Sequence, residues 1–164
     1  MDIVLKTENG RFNFRVCGLI INDGKVLAMH DEKSPYYYLP GGRVNLHETV
    51  EDAILRELKE ELAISAEIVR PLWINQAFFV EDLSKDRFHE ICFYFLIDAL
   101  KTDLFGRGKN FTRTEGKHTL RFEWLKFEEL KEKYLYPEFI KDEIFNLPDK
   151  IVINVEDRKI RRGT

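Results

Sequence analysis

The chain has 164 residues, 44% of them hydrophobic and 34% charged, with a formal net charge of −3. That composition supplies a core for about one domain and excludes a wholly disordered chain. It also excludes a broadly basic nucleic-acid-binding surface, although a few local Lys or Arg could still meet phosphate. The two cysteines, Cys17 and Cys92, each lie in an apolar run, so they are expected as small buried side chains in a reducing compartment. The longest apolar run, Ile91 to Ile97, is too short to span a bilayer. No signal-peptide pattern appears in Met1 to Lys6, and a cytoplasmic location is expected.

In chain order, Asn9-Gly10 between Ile3–Leu5 and Phe12–Phe14 predicts a hairpin. Val16 to Ile21 reads as a buried strand, Asn22-Asp23-Gly24 as a turn and Lys25 to His30 as the returning strand. A loop over Asp31–Tyr36 leads to the short extended Tyr37–Leu39, with Pro40-Gly41-Gly42 a second loop. Thr49 to Leu62 is the one long helix, with Thr49 as N-cap and Asp52 as its capping partner. Ala66–Val80 and Phe88–Ala99 read as long strands, joined by the polar loop Glu81–Arg87. The Gly-, Lys- and Thr-rich stretch Lys101–Lys117 reads as a loop. Leu120–Leu125 is a strand, Glu128–Lys133 and Pro137–Phe145 are short helices, and Ile151–Val155 is a last strand. The expected organisation is a single domain over residues 1–157, followed by a polar, basic and frayed tail over 158–164. Strands outnumber helices, which predicts a mixed sheet with helices packed on it.

The helix carries acids in the wrong place for a simple amphipathic segment. At about 100° per residue, Val50, Ala53, Ile54, Leu58 and Leu62 form the apolar face. Glu61 falls between Val50 and Ile54, Glu57 falls beside it, and Glu60 is within a turn. A carboxylate taken from water must find a cation or a proton. Hard oxygen ligands suit Mg²⁺, Mn²⁺ or Ca²⁺. The alternative is a solvated acidic face in which Arg56 and Lys59 pair with their neighbours. Gly41-Gly42, just ahead of the helix, would let backbone approach a ligand closely.

The segment from Leu39-Pro40-Gly41-Gly42 to Ile64 resembles the Nudix box. Gly42, Glu48, Arg56, Glu57, Leu58, Glu60, Glu61 and Ile64 match its defined positions, and Ala63 stands where the family usually has Gly. The resemblance implies an α/β fold, an α/β/α sandwich around a mixed β-sheet. It also implies a hydrolase that uses Mg²⁺ or Mn²⁺ to cleave a nucleoside diphosphate linked to another moiety, by water attack at phosphorus. Carried over by position, the Gly41 carbonyl, Glu57, Glu60 and Glu61 would hold metal. Glu57 would also be a candidate base, Arg56 would orient the acids, and Glu48 would be the arginine's partner. Many members use a further acid outside the box. Glu115 is the first candidate and Asp103 the second, both in the stretch read as a loop.

For the substrate, Tyr38 and Phe79 are candidate ring contacts, with Tyr36 and Tyr37 alternatives to Tyr38; Arg15 and Arg43 are candidate phosphate contacts. His47 and His89 are expected to be structural or exposed, and Trp73 to be core. The region after the box lacks the proline of the ADP-ribose group and the tyrosine of the dinucleoside-polyphosphate group, since Phe79-Val80-Glu81-Asp82 stand there. A nucleoside triphosphate or related small nucleotide is therefore the expected substrate. The alternatives are a non-catalytic nucleotide sensor and a hydrolase of RNA 5′ ends. The locally basic set Lys101, Arg107, Lys109, Arg113 and Lys117 is the feature that keeps the RNA alternative open. The expected partners are a small nucleotide and, at most, a second copy of the chain, with neither membrane nor nucleic acid.

Overall fold

The computed structural model describes residues 1–158. The expected tail lies outside the described residues except for Arg158. Among the described residues, nine strands form one mixed sheet: β1 (Val4–Thr7), β2 (Gly10–Asn22), β3 (Lys25–Asp31), β4 (Gly41–Arg43), β5 (Glu67–Val80), β6 (Arg87–Asp98), β7 (Asn110–Glu115), β8 (His118–Lys126) and β9 (Val152–Asp157). The order is β7-β8-β3-β2-β6-β5-β9, with β1 and β4 paired on β2. The pairs β2–β6 and β5–β9 are parallel and the others antiparallel.

Alternation along β2 divides the interior in two. Val16 and Ile20 point to the helix α1 (Val50–Leu62) and pack with Ile54, Leu58, Leu62, Phe95 and Phe122. Cys17 and Leu19 point the other way, into Leu72, Trp73, Tyr94, Leu130 and the short helix α2 (Ile140–Glu143). Helical segments thus cover both faces, giving the α/β/α sandwich. Both cysteines are buried and free, as their apolar settings predict.

Helix α1 begins where the sequence says, with Thr49 Oγ1 accepting from the Asp52 amide at 3.1 Å. It ends on Ala63, whose φ and ψ of 53° and 41° are left-handed. This is the position at which the Nudix box usually has Gly, and Ala carries a Cβ penalty there that Gly avoids. Ala63 is exposed, so nothing is lost by removing its methyl group. Ala63→Gly is expected to raise stability by about 1 kcal/mol, a rise of roughly 2–4 °C in Tm for a chain of this size, readable by differential scanning calorimetry.

Four expectations are corrected. The segment 101–117 is not a loop throughout: it holds a 3-10 turn at Leu104–Gly106 and strand β7, which turns at Gly116 into β8. Phe105 stacks on Trp124 and Phe111 on Phe122, and these two ring pairs outweigh the loop-like composition around them. Gly41–Arg43 pairs with Arg15–Cys17 as β4, because the neighbouring strand supplies an order that glycine does not favour alone. The segment at Glu128–Lys133 is 3-10 over Phe127–Glu132. Only Ile140–Glu143 of Pro137–Phe145 is α-helical.

Candidate active site

Strands β2 and β4 meet the side of α1, and the two glycines let the carboxylates through. A Cβ on Gly42 would run into the Glu57 carboxylate, and one on Gly41 would run into the Val16 carbonyl. Gly41 also has φ +150°, and its amide donates to Glu61 Oε2 at 3.0 Å. The absent side chains are therefore what bring Glu57 and Glu61 against the backbone. Gly42→Ala is expected to lower kcat about 10- to 100-fold with far less effect on Tm, because Glu57 must leave its position while the core stays intact; steady-state kinetics and thermal melting check this.

Arg56 organises the outer side of the cluster. Its Nε and Nη2 donate to the two oxygens of Glu48 at 2.7 and 2.9 Å, and Nη2 also donates to the Arg43 carbonyl at 3.0 Å. Its Nη1 donates to Glu57 at 2.7 Å and reaches Glu60 at 3.4 Å. Glu48 accepts in addition from the Asn45 amide at 2.9 Å. These bonds, first those from Arg56, hold Glu48 below the usual carboxylate range.

The two inner acids behave in the opposite way. Burial pushes Glu57 up, and Arg56 only partly offsets it. Glu61, 7% exposed, is pushed well up, first by burial and then by the charge of Glu57. Two neighbouring carboxylates of like charge, one half-buried and one buried, are a site that a divalent cation would stabilise. The donor set consists of hard oxygens, and it fits Mg²⁺ or Mn²⁺. Among the described residues no three such groups converge into a preformed cluster. Glu60 turns to Arg56 and is half-exposed.

These groups open into one cleft of about 1020 Å³. Of the residues singled out from the sequence, Gly41, Gly42, Glu57, Glu61, Glu115, Arg15, Arg43, Tyr38 and Phe79 line it. Glu48, Arg56 and Glu60 do not line it. Glu115 comes from the end of β7 and acts electrostatically on Glu61. Asp103 instead pairs with Arg107 at 2.6 Å and does not line the cleft. Arg15 lies 3.9 Å from Glu90, and Arg43 bonds Asp2 at 3.3 Å with its Nε unpartnered. Trp73 is core, His47 lies in the turn before α1 outside the cleft lining, and His89 packs between Phe12 and Phe78.

The far end of the cleft was not singled out from the sequence. It contains Arg11, Asn13, Asn75, Phe88, Glu90, Glu156 and Arg158. Its rim includes Tyr36, one of the sequence's alternatives to Tyr38, and Tyr136; with Tyr134 these form an edge-to-face cluster and place their hydroxyls on Glu81 and Asp82. Burial, together with Glu81, pushes the Tyr36 hydroxyl up to about 12. The signal for the floor was present: Arg11, Asn13 and Arg15 occupy alternate positions between Phe12, Phe14 and Val16, a polar face on an otherwise apolar strand.

A profile of the NUDIX domain matches residues 11–144. The ADP-ribose pyrophosphatase of Methanocaldococcus jannaschii is 32% identical over 93 residues, 54% of this chain and 52% of that protein. The chain thus spans about half the length of that curated relative. A NUDIX hydrolase structure from Nitrosomonas europaea matches with a TM-score of 0.60 over 93% of this chain and 82% of that one, at 16% identity, which speaks to the fold alone. A MutT protein structure from Methanosarcina mazei Go1 matches with a TM-score of 0.53 over 84% of this chain and 92% of that one, at 25% identity. The profile covers most of the chain, the sandwich is that of the solved relatives, and the glycine loop and acidic helix stand together at the cleft: the chain belongs to the NUDIX domain family.

Proposed function

We propose that the chain is a divalent-metal-dependent pyrophosphohydrolase of a small nucleotide, most simply a nucleoside triphosphate. The observation that carries this is the pair of carboxylates Glu57, half-buried, and Glu61, buried, whose charge burial disfavours, placed beside Gly41-Gly42 in a cleft that also contains Arg15 and Glu115. Glu57 and Glu61, with Glu60 and the Gly41 carbonyl, would hold Mg²⁺ or Mn²⁺. A bound divalent ion would screen the phosphate charge and acidify a water molecule.

The chain's own residues do the rest. Arg15 offers its guanidinium to a phosphate oxygen, with Glu90 holding it in place. Arg56 fixes the Glu48 and Glu57 side chains, so their positions are set before substrate arrives. Glu57 and Glu115 are the two candidate acceptors of the water's proton. Burial raises the Glu57 pKa above the usual carboxylate range, which favours it as a base. A nucleoside diphosphate linked to a sugar is the second reading, since the Methanocaldococcus relative is named an ADP-ribose pyrophosphatase.

The test is turnover. Purified protein with Mg²⁺ or Mn²⁺ is offered nucleoside triphosphates, ADP-ribose, nucleotide sugars and dinucleoside polyphosphates, and the products are separated by chromatography. A nucleoside monophosphate released from one of them, and lost in Glu57→Gln, is the expected result. Absence of turnover with either ion would contradict the proposal.

A further inference from the structure

The cleft floor is built from four adjacent strands in register, and each register line has its own chemistry. One line runs Asn13–Glu90–Ala77–Glu156 across β2, β6, β5 and β9. Two residues towards the glycine loop, about 7 Å along the strands, the line is Arg15–Cys92–Asn75–Asn154. Two residues the other way it is Arg11–Phe88–Phe79. There Phe79 and Phe88 stack at 5.1 Å, and Arg158 lies over Phe79 and over Tyr136. Ala77 is the small residue between two carboxylate-bearing columns, and it lines the cleft together with Glu90 and Glu156.

The hydrogen bonds in these lines end on the two carboxylates, Glu156 and Glu90. Asn154 Nδ2 donates to Asn75 Oδ1 at 2.8 Å, and Asn75 Nδ2 donates to Glu156 Oε1 at 2.7 Å. Asn13 Nδ2 donates to Glu90 Oε2 at 3.4 Å. A carboxylate only accepts, so Glu90 fixes the Asn13 amide with its nitrogen inward. Asn13 Oδ1 is then left over. Asn13 is 4% exposed, it lines the cleft, and its Oδ1 has no hydrogen-bond partner. A buried acceptor without a donor is costly, and a ligand that supplies the donor recovers that cost on binding.

The floor beside Ala77 therefore presents two neighbouring acceptors, Asn13 Oδ1 and the Glu90 carboxylate, and asks for two neighbouring donors. The pairing edges of the common bases differ in this respect. Adenine and cytosine set a donor beside an acceptor, and uracil has a single donor flanked by acceptors. Guanine alone sets a ring N–H beside an exocyclic amine. The aromatic pair one line away and the small side chain of Ala77 in the cleft lining suit a planar ring. We propose that Asn13 and Glu90 select a guanine-type base, with its phosphates towards Arg15. This rests on the hydrolase reading only for the direction in which the phosphates point.

The test is binding, so it does not depend on turnover. GMP, IMP, AMP, CMP, UMP and ribose 5-phosphate are titrated into the protein by calorimetry. IMP differs from GMP only in lacking the exocyclic amine. GMP is expected to bind at least about tenfold more tightly than IMP and the other bases, since a site that loses one partner leaves its own group unpaired. Glu90→Gln, at a half-buried position, is expected to bring the GMP-to-IMP ratio below about threefold. Asn13→Leu, which removes Oδ1 at similar volume, should do the same. Equal binding of all bases overturns the proposal, as does ribose 5-phosphate matching GMP, which would mean that the floor reads sugar hydroxyls. A GMP-to-IMP ratio unmoved by Glu90→Gln, or no binding of any of these ligands, also overturns it. Turnover of nucleotides without base preference would remove this proposal and leave the hydrolase standing. Guanine preference without turnover would do the reverse.

Discussion

Glu61→Gln is expected to move activity and stability in opposite directions. Turnover falls about 10²- to 10⁴-fold, because the amide keeps the shape and removes the charge that a divalent ion needs. The metal-free protein, in contrast, gains about 1 kcal/mol. The reason lies in the helix itself. Glu61 sits on the buried side of α1, where burial and the neighbouring Glu57 both disfavour its charge. Gln keeps an oxygen for the Gly41 amide, which Glu61 now accepts at 3.0 Å. The pH dependence follows with a definite sign. A carboxyl whose folded pKa is raised contributes stability below its unfolded value and loses it as pH rises through the folded value. The metal-free wild type should therefore lose stability relative to Glu61→Gln as pH rises from the ordinary glutamate range. Saturating Mg²⁺ or Mn²⁺ should remove that difference in the wild type alone. Thermal melts of both proteins across pH, with and without the ion, read all of this.

Arg56→Ala is expected to lose on both counts. One guanidinium holds both oxygens of Glu48, one of Glu57 and the Arg43 carbonyl, so its removal frees the loop from β4 to the helix as well as the acid. The side chain is 27% exposed, so solvent screens part of the loss and about 2 kcal/mol is expected, a fall of roughly 4–8 °C in Tm. Turnover should fall about 10- to 100-fold, mainly in kcat, since the acids lose their orientation before substrate binds. Arg56→Lys should recover little of either. A lysine has one point charge and cannot make the forked contact to Glu48 together with the carbonyl contact. If Lys restored turnover, charge alone would suffice and the orienting role would be wrong. A double-mutant cycle with Glu48→Gln gives the coupling directly: the two losses should be strongly non-additive.

The parts legible in the sequence are those whose cause is local. Helix α1 could be placed because Thr49, Asp52 and the apolar period all act within one segment. Glu57 and Glu61 stood out because they broke that period. Glu115 and Asp103 were equal in kind as acids in one stretch, and only the pairing of β7 with β8 turns Glu115 to the cleft while Asp103 turns to Arg107. Asn13, Glu90, Asn75 and Glu156 are far apart in sequence and become neighbours only through the register of four strands. The strand at Gly41–Arg43 was missed because its order comes from β2 and not from its own glycines. Ala63 is the instructive departure: the sequence marked the position, and the fold shows a left-handed backbone there that Ala tolerates at a cost.

Glu57 and Glu61 together are proposed to form a divalent-ion site. Mn²⁺ titration followed by electron paramagnetic resonance tests it most directly, because it counts bound ion without any substrate. Wild-type protein should show saturable binding that Mg²⁺ displaces, and the Glu57→Gln/Glu61→Gln protein should show at least about tenfold weaker binding. Equal binding in the two proteins would place the ion elsewhere and contradict the account.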